Sequence, residues 1–125
     1  MPYGLKITFL VHFIVAAIFG LVLLLIPDTY ASLTAFPIQH PAVTGLTRLL
    51  GAAFLGFAAS SWFAYKETLW ERVKIVVQME IIWAILGALA ILWGLFFAGF
   101  PVGYWMNVAI LLAFAIVFII FYSRK

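Results

Sequence analysis

Residues 73–97 read VKIVVQMEIIWAILGALAILWGLFF, an apolar run interrupted by only two charges, Lys74 near its start and Glu80 further along. A helix of that length extends about 37 Å, enough to cross a hydrocarbon core of about 30 Å. Three more runs of the same kind surround it, at 7–26, 45–65 and 102–122. None alternates with period two, and the chain is too short to close a barrel of strands. The expected fold is therefore all-α: an integral membrane four-helix bundle, antiparallel, forming one domain.

Composition points the same way. Of 125 residues, 68% are hydrophobic and 9% charged, against about 25% charged in an ordinary soluble domain. A chain this small cannot hide so much apolar surface from water, so lipid is the expected solvent. The net charge of +3 does not indicate nucleic acid, because the basic residues sit at segment ends and form no stripe. There is no cysteine, which excludes disulfides and thiolate chemistry. The run at 7–26 follows Lys6 and is longer than the apolar core of a signal peptide, so it reads as a retained first span.

The connections set the orientation. Lys66, Arg72 and Lys74 flank the short loop between the second and third runs. Lys6, Arg124 and Lys125 fall on the same side, and only Arg48 falls on the other. The positive-inside rule then places both termini in the cytoplasm of a cell-membrane protein. The outer loop, 27–44, holds Pro27, Pro37 and Pro41. Within it Asp28 is expected to cap a short interfacial helix ending near Leu33, with Tyr30, Leu33 and Phe36 facing the lipid surface.

Small residues let helix backbones approach closely in lipid. Seams at four-residue spacing are expected along Ala16 and Gly20; along Ala52, Gly56 and Ser60; along Ala84 and Ala88, and Ala90 and Gly94; and along Ala109 and Ala113. Such seams serve equally within one chain or between copies, so a homo-oligomer is compatible with them.

A charge in the hydrocarbon costs at least about 2.5–3.5 kcal/mol, so candidate sites are sought among the polar residues within the spans. Five stand out: His12, Arg48, Gln78, Glu80 and Asn107. Their depths arrange them in two layers, His12 with Glu80 toward the cytoplasm and Arg48 with Asn107 toward the outside. Glu80 shares a helix face with Ala84 and Gly87, and Arg48 shares one with Ala52, Leu55 and Ala59, so both are expected to face inward. Gln78 points away from Glu80, and Asn107 lies off the Ala109–Ala113 face and so meets a different neighbour. The functional reading makes Glu80 a proton-binding carboxylate or ligand anchor modulated by His12. The structural reading makes the same residues pegs of helix register. Trp83 and Trp93 lie deeper than the interfacial aromatics and are expected to line a cavity.

No metal-ligand spacing, phosphate loop or serine–histidine–acid order appears, and no cofactor is implied. Glu71-Arg72-Val73 followed by Gln78 and Glu80 resembles a stretch of the membrane-associated eicosanoid and glutathione enzymes. Here the string stands between the second and third spans and lacks that family's asparagine. A broader resemblance covers most of the chain. The proline-rich outer loop, then Arg48-Leu49-Leu50-Gly51-Ala52-Ala53-Phe54-Leu55-Gly56, Trp62 and a charged loop, is similar to small prokaryotic four-helix membrane proteins of the broad DoxX-like kind. That resemblance implies the bundle fold; some such proteins are accessory subunits of quinone-linked oxidoreductases. The expected function is binding of a lipophilic small molecule or lipid, or an accessory role in a larger membrane complex, without catalysis of its own. The alternatives are a proton-coupled transporter using Glu80 and an enzyme of the glutathione type.

Overall fold

The computed structural model describes residues 1–35 and 40–124. They are helical almost throughout: α1 (Tyr3–Leu25), α2 (Pro27–Leu33), α3 (Pro41–Lys66), α4 (Trp70–Phe97), a 3-10 turn (Val102–Tyr104) and α5 (Trp105–Ser123). Four helices are long and apolar enough to cross a membrane, and helix satisfies every backbone polar group without water. Large apolar side chains cover their outer faces, among them Ile75, Phe63 and Ile18.

Proline and glycine set the boundaries. Pro27 and Pro41 occupy first helical positions, where a missing N–H costs nothing. His40 caps α3 by accepting the Ala42 N–H at Nδ1, 3.0 Å away, so α3 begins earlier than the run at 45–65 implies. Asp28 lies inside the first turn of α2, where its charge meets the positive helix end, and the N-cap is Ile26. Gly99 adopts φ +73 after α4, and the chain turns back so that the Phe100 N–H donates to Gly94 O at 3.0 Å. The Phe100 ring then occupies the space a side chain on residue 94 would need.

The helices form two pairs. α1 packs extensively along α3, and α4 along α5, whereas contacts between the pairs are sparse. The α1–α3 contact turns on two glycines. A Cβ on Gly51 would stand 2.5 Å from Leu24 N and 2.8 Å from Gly20 O; one on Gly20 would stand 2.9 Å from Leu55. The pairs join at one end, where Leu5 and Phe9 of α1, Ala64 of α3, Val73 and Val77 of α4 and Phe118 of α5 form a buried cluster.

The small-residue seams hold on α1 and largely on α4, where Ala16, Gly20, Ala84, Ala88 and Gly94 are buried. They fail elsewhere. Ala52 and Gly56 are exposed, and the buried face of α3 runs through Gly51, Ala58, Ser61 and Ala64. Ala109 and Ala113 face outward, while Val108, Ala115 and Phe118 are buried. α3 carries small residues all round its circumference, so their spacing alone selects no face.

Candidate ligand cavity and the buried His12–Glu80 pair

The inward face of α1 brings His12 against α3 and α4 near the closed end of the bundle. Its Nε2 lies 2.9 Å from Glu80 Oε2, and its Nδ1 lies 2.7 Å from Ser61 Oγ. Glu80 is 1% exposed and Ser61 fully buried. The imidazole meets Phe114 edge-on, with ring centroids 4.8 Å apart. Glu80 Oε1 is buried with no hydrogen-bond partner.

A buried net charge is expensive, and the pair escapes that cost in two forms. Either the imidazolium donates from both nitrogens, to Ser61 and to the carboxylate, or the protonated carboxyl donates to Nε2 while Nδ1–H donates to Ser61. The two differ only in which side of the 2.9 Å contact holds the proton. The order serine–histidine–acid, absent from the linear sequence, thus exists in space. Ser61 does not reach any open surface, however, and a nucleophile must reach its substrate. The arrangement locks three helices together and presents the His12 ring to the space beside it.

That space is a cavity of about 390 Å³ between the two helix pairs. His12, Ala16 and Phe19 of α1 form one wall, and Ile110, Leu111 and Phe114 of α5 another. On the α3–α4 side the gap is bridged by rings: Trp83 stands 5.0 Å from Phe57 and 5.5 Å from Phe54, centroid to centroid. Tyr30 and Ala31 of α2, with Phe100 and Tyr104, close the end away from His12.

At that end Asn107 Nδ2 donates to the Tyr30 hydroxyl at 3.2 Å, and Thr34 Oγ1 lies 3.3 Å from the Tyr104 hydroxyl. Burial raises the Tyr30 phenol above its ordinary range, partly offset by the Asn107 hydrogen bond. Tyr30 therefore faces the bundle, contrary to its expected lipid-facing position. Leu33 does project outward, 81% exposed, and Phe36 lies outside the described residues.

The expected sites divide accordingly. His12 and Glu80 do meet, as their depths implied. Arg48 does not face inward and does not meet Asn107: it is exposed, with Nη1 3.3 Å from Leu24 O. Ala52 and Ala59 of its stripe lie about 80–100° round α3 from Gly51. Gln78 points to the α5 side, donating to the Tyr122 hydroxyl at 3.0 Å. Trp83 lines the cavity, but Trp93 stacks on Phe97 on the outside, 65% exposed. Arg72 pairs with Glu67 at the surface, 3.4 Å away. Ser61 and Tyr30 are the partners sequence reasoning missed.

No protein-family model, curated protein or solved structure matches the chain. Among the described residues no group of three His, Cys, Asp or Glu could hold a metal ion.

Proposed function

We propose that this chain is a multi-pass protein of the cell membrane that binds a lipophilic small molecule in the cavity between its helix pairs. The observation that carries this reading is the cavity itself. Ligand sites of about 300–1,000 Å³ are typically apolar and aromatic with a few placed polar groups, and this one has aromatic walls with His12 and Asn107 toward its two ends. The antiparallel arrangement rests on the cluster that joins the start of α1, the end of α3, the start of α4 and the end of α5. That end is cytoplasmic, with both termini. It carries Lys6 over the Tyr65 ring at 5.4 Å and Lys66 over Trp62 at 5.1 Å, an interfacial pattern of cations on aromatics. The DoxX-like resemblance of the Arg48–Gly56 stretch is compatible with an accessory role in a larger membrane complex.

Ala90→Trp tests the reading, since Ala90 lines the cavity and its side chain is not buried against a neighbouring helix. Organic extraction of the purified native chain, followed by mass spectrometry, is expected to release a lipophile that the Ala90→Trp chain lacks. A native chain that yields nothing and binds no apolar probe would remove the proposal.

Glu80 Oε1 supports a second reading, a proton-coupled transporter, because an unpartnered buried carboxyl oxygen beside a cavity-lining histidine is where a proton is held or released. Liposome flux of a lipophile with the same pH profile in native and Glu80→Gln chains would exclude it.

A further inference from the structure

Resting on the cavity-binding reading, we infer that the ligand is an uncharged, slender aromatic of two to three rings whose single polar group hydrogen-bonds Asn107. Size comes first. An apolar cavity of about 150 Å³ holds one benzene, so about 390 Å³ holds two to three rings. The lining positions on α1 run from His12 to Leu23, about 16 Å along the helix. The rings therefore lie end to end rather than stacked on one another.

Charge comes next. Glu80 lies beside the His12 end of the cavity but does not line it, and it is already engaged by His12, which does. Among the described residues no Asp or Glu lines the cavity to meet a cationic ligand, and no Lys or Arg lines it to meet an anionic one. Desolvation of either is uncompensated.

Polarity settles the orientation. Both nitrogens of His12 are occupied, by Ser61 and Glu80, so the closed end offers only ring carbon. At the other end Asn107 spends one N–H on Tyr30. Its carbonyl and second N–H make no hydrogen bond among the described residues, and the side chain lines the cavity. A half-buried amide with a free donor and a free acceptor is satisfied by a hydroxyl or carbonyl on the ligand. Trp83 and Phe57 supply faces and edges for the rings beyond it.

Calorimetric titration of the purified chain in nanodiscs compares 4-hydroxybiphenyl with its isostere 4-methylbiphenyl, with the Ala90→Trp chain as the blank for partition into lipid. The native chain is expected to bind the hydroxyl compound roughly tenfold more tightly, the worth of one net hydrogen bond. Asn107→Leu is expected to bind both equally. Equal binding of both by the native chain, lost in Ala90→Trp, would overturn the polar anchor and leave the cavity reading intact. Stronger binding of biphenyl-4-trimethylammonium than of the hydroxyl compound would overturn the uncharged ligand. Stronger binding of 1-dodecanol would overturn the aromatic one. Binding of none above the Ala90→Trp blank would remove the cavity reading as well. The comparison of the two isosteres in the native chain stands even if Asn107→Leu does not fold.

Discussion

In the interior of the bundle His12 Nε2 lies 2.9 Å from Glu80 Oε2, and Ser61 Oγ holds the opposite nitrogen at 2.7 Å. His12 of α1 is thereby tied both to Ser61 of α3 and to Glu80 of α4 where water does not reach. Removing His12, the middle member, leaves both Ser61 and Glu80 without that partner in a medium that cannot solvate them.

His12→Leu should therefore lower stability by about 3–5 kcal/mol, the cost of stranding one half of a buried pair. The double variant His12→Leu/Glu80→Met removes both polar groups at similar volume and should recover most of that loss. Thermal unfolding in a mild detergent reads the difference. A double variant as unstable as the sum of the two single ones would show that the pair is not acting as a pair.

The α1–α3 crossing predicts opposite outcomes for two glycines on one helix. Gly51→Ala drives a methyl into the backbone at Leu24 and Gly20, with contacts too short to relieve by side-chain motion. A loss of about 1–3 kcal/mol is expected, as for overpacked cores. Gly56→Ala meets nothing within 4 Å and should gain about 0.5–1 kcal/mol from the better helix former. The same unfolding measurement decides both, and equal effects at the two positions would contradict the crossing.

Much of this architecture is legible in the sequence, and the limits have identifiable causes. Four runs of spanning length mark the helices because lipid imposes length and composition directly. The His12–Glu80 meeting is readable from depth, since both lie a similar distance from the same helix ends. Arg48 is misread because α3 is small-sided everywhere: Ala52 and Ala59 on its stripe look like a contact face until Gly20 of another helix selects Gly51 instead. Tyr30 looks interfacial by composition, and only the position of Asn107 on α5 draws its hydroxyl inward. Ser61 carries no sequence signal of its own, as a serine among alanines is ordinary helix packing until a histidine stands opposite.

Arg48→Gln should change stability by less than about 1 kcal/mol. Its guanidinium is exposed and makes one long contact with a carbonyl, the kind of surface interaction that contributes little. A loss as large as that of His12→Leu would mean that Arg48 holds a partner inside the bundle.

The Tyr30 phenol gives a prediction in pH. Burial raises its pKa above the ordinary tyrosine value of 10.0, so it stays protonated at a pH where an unperturbed phenol ionises. On unfolding it would ionise at the ordinary value, so the unfolded chain binds fewer protons in the interval above pH 10.0. Its contribution to stability is thus fully present below that pH and is lost as pH rises through the folded value. Ultraviolet titration should show one tyrosine ionising late, and Tyr30→Phe should abolish that late step. A titration in which Tyr30→Phe removes an early step would refute the burial.

The cluster of Leu5, Phe9, Ala64, Val73, Val77 and Phe118 has a mechanical consequence. Each helix pair is joined within itself at the far end, by the segments around α2 and the 3-10 turn, and one pair is joined to the other in the chain by residues 67–69 beside that cluster and again, at the far end, by the Asn107–Tyr30 and Thr34–Tyr104 contacts. The two pairs are therefore clasped at both ends, and the gap left between the clasps sets the cavity volume.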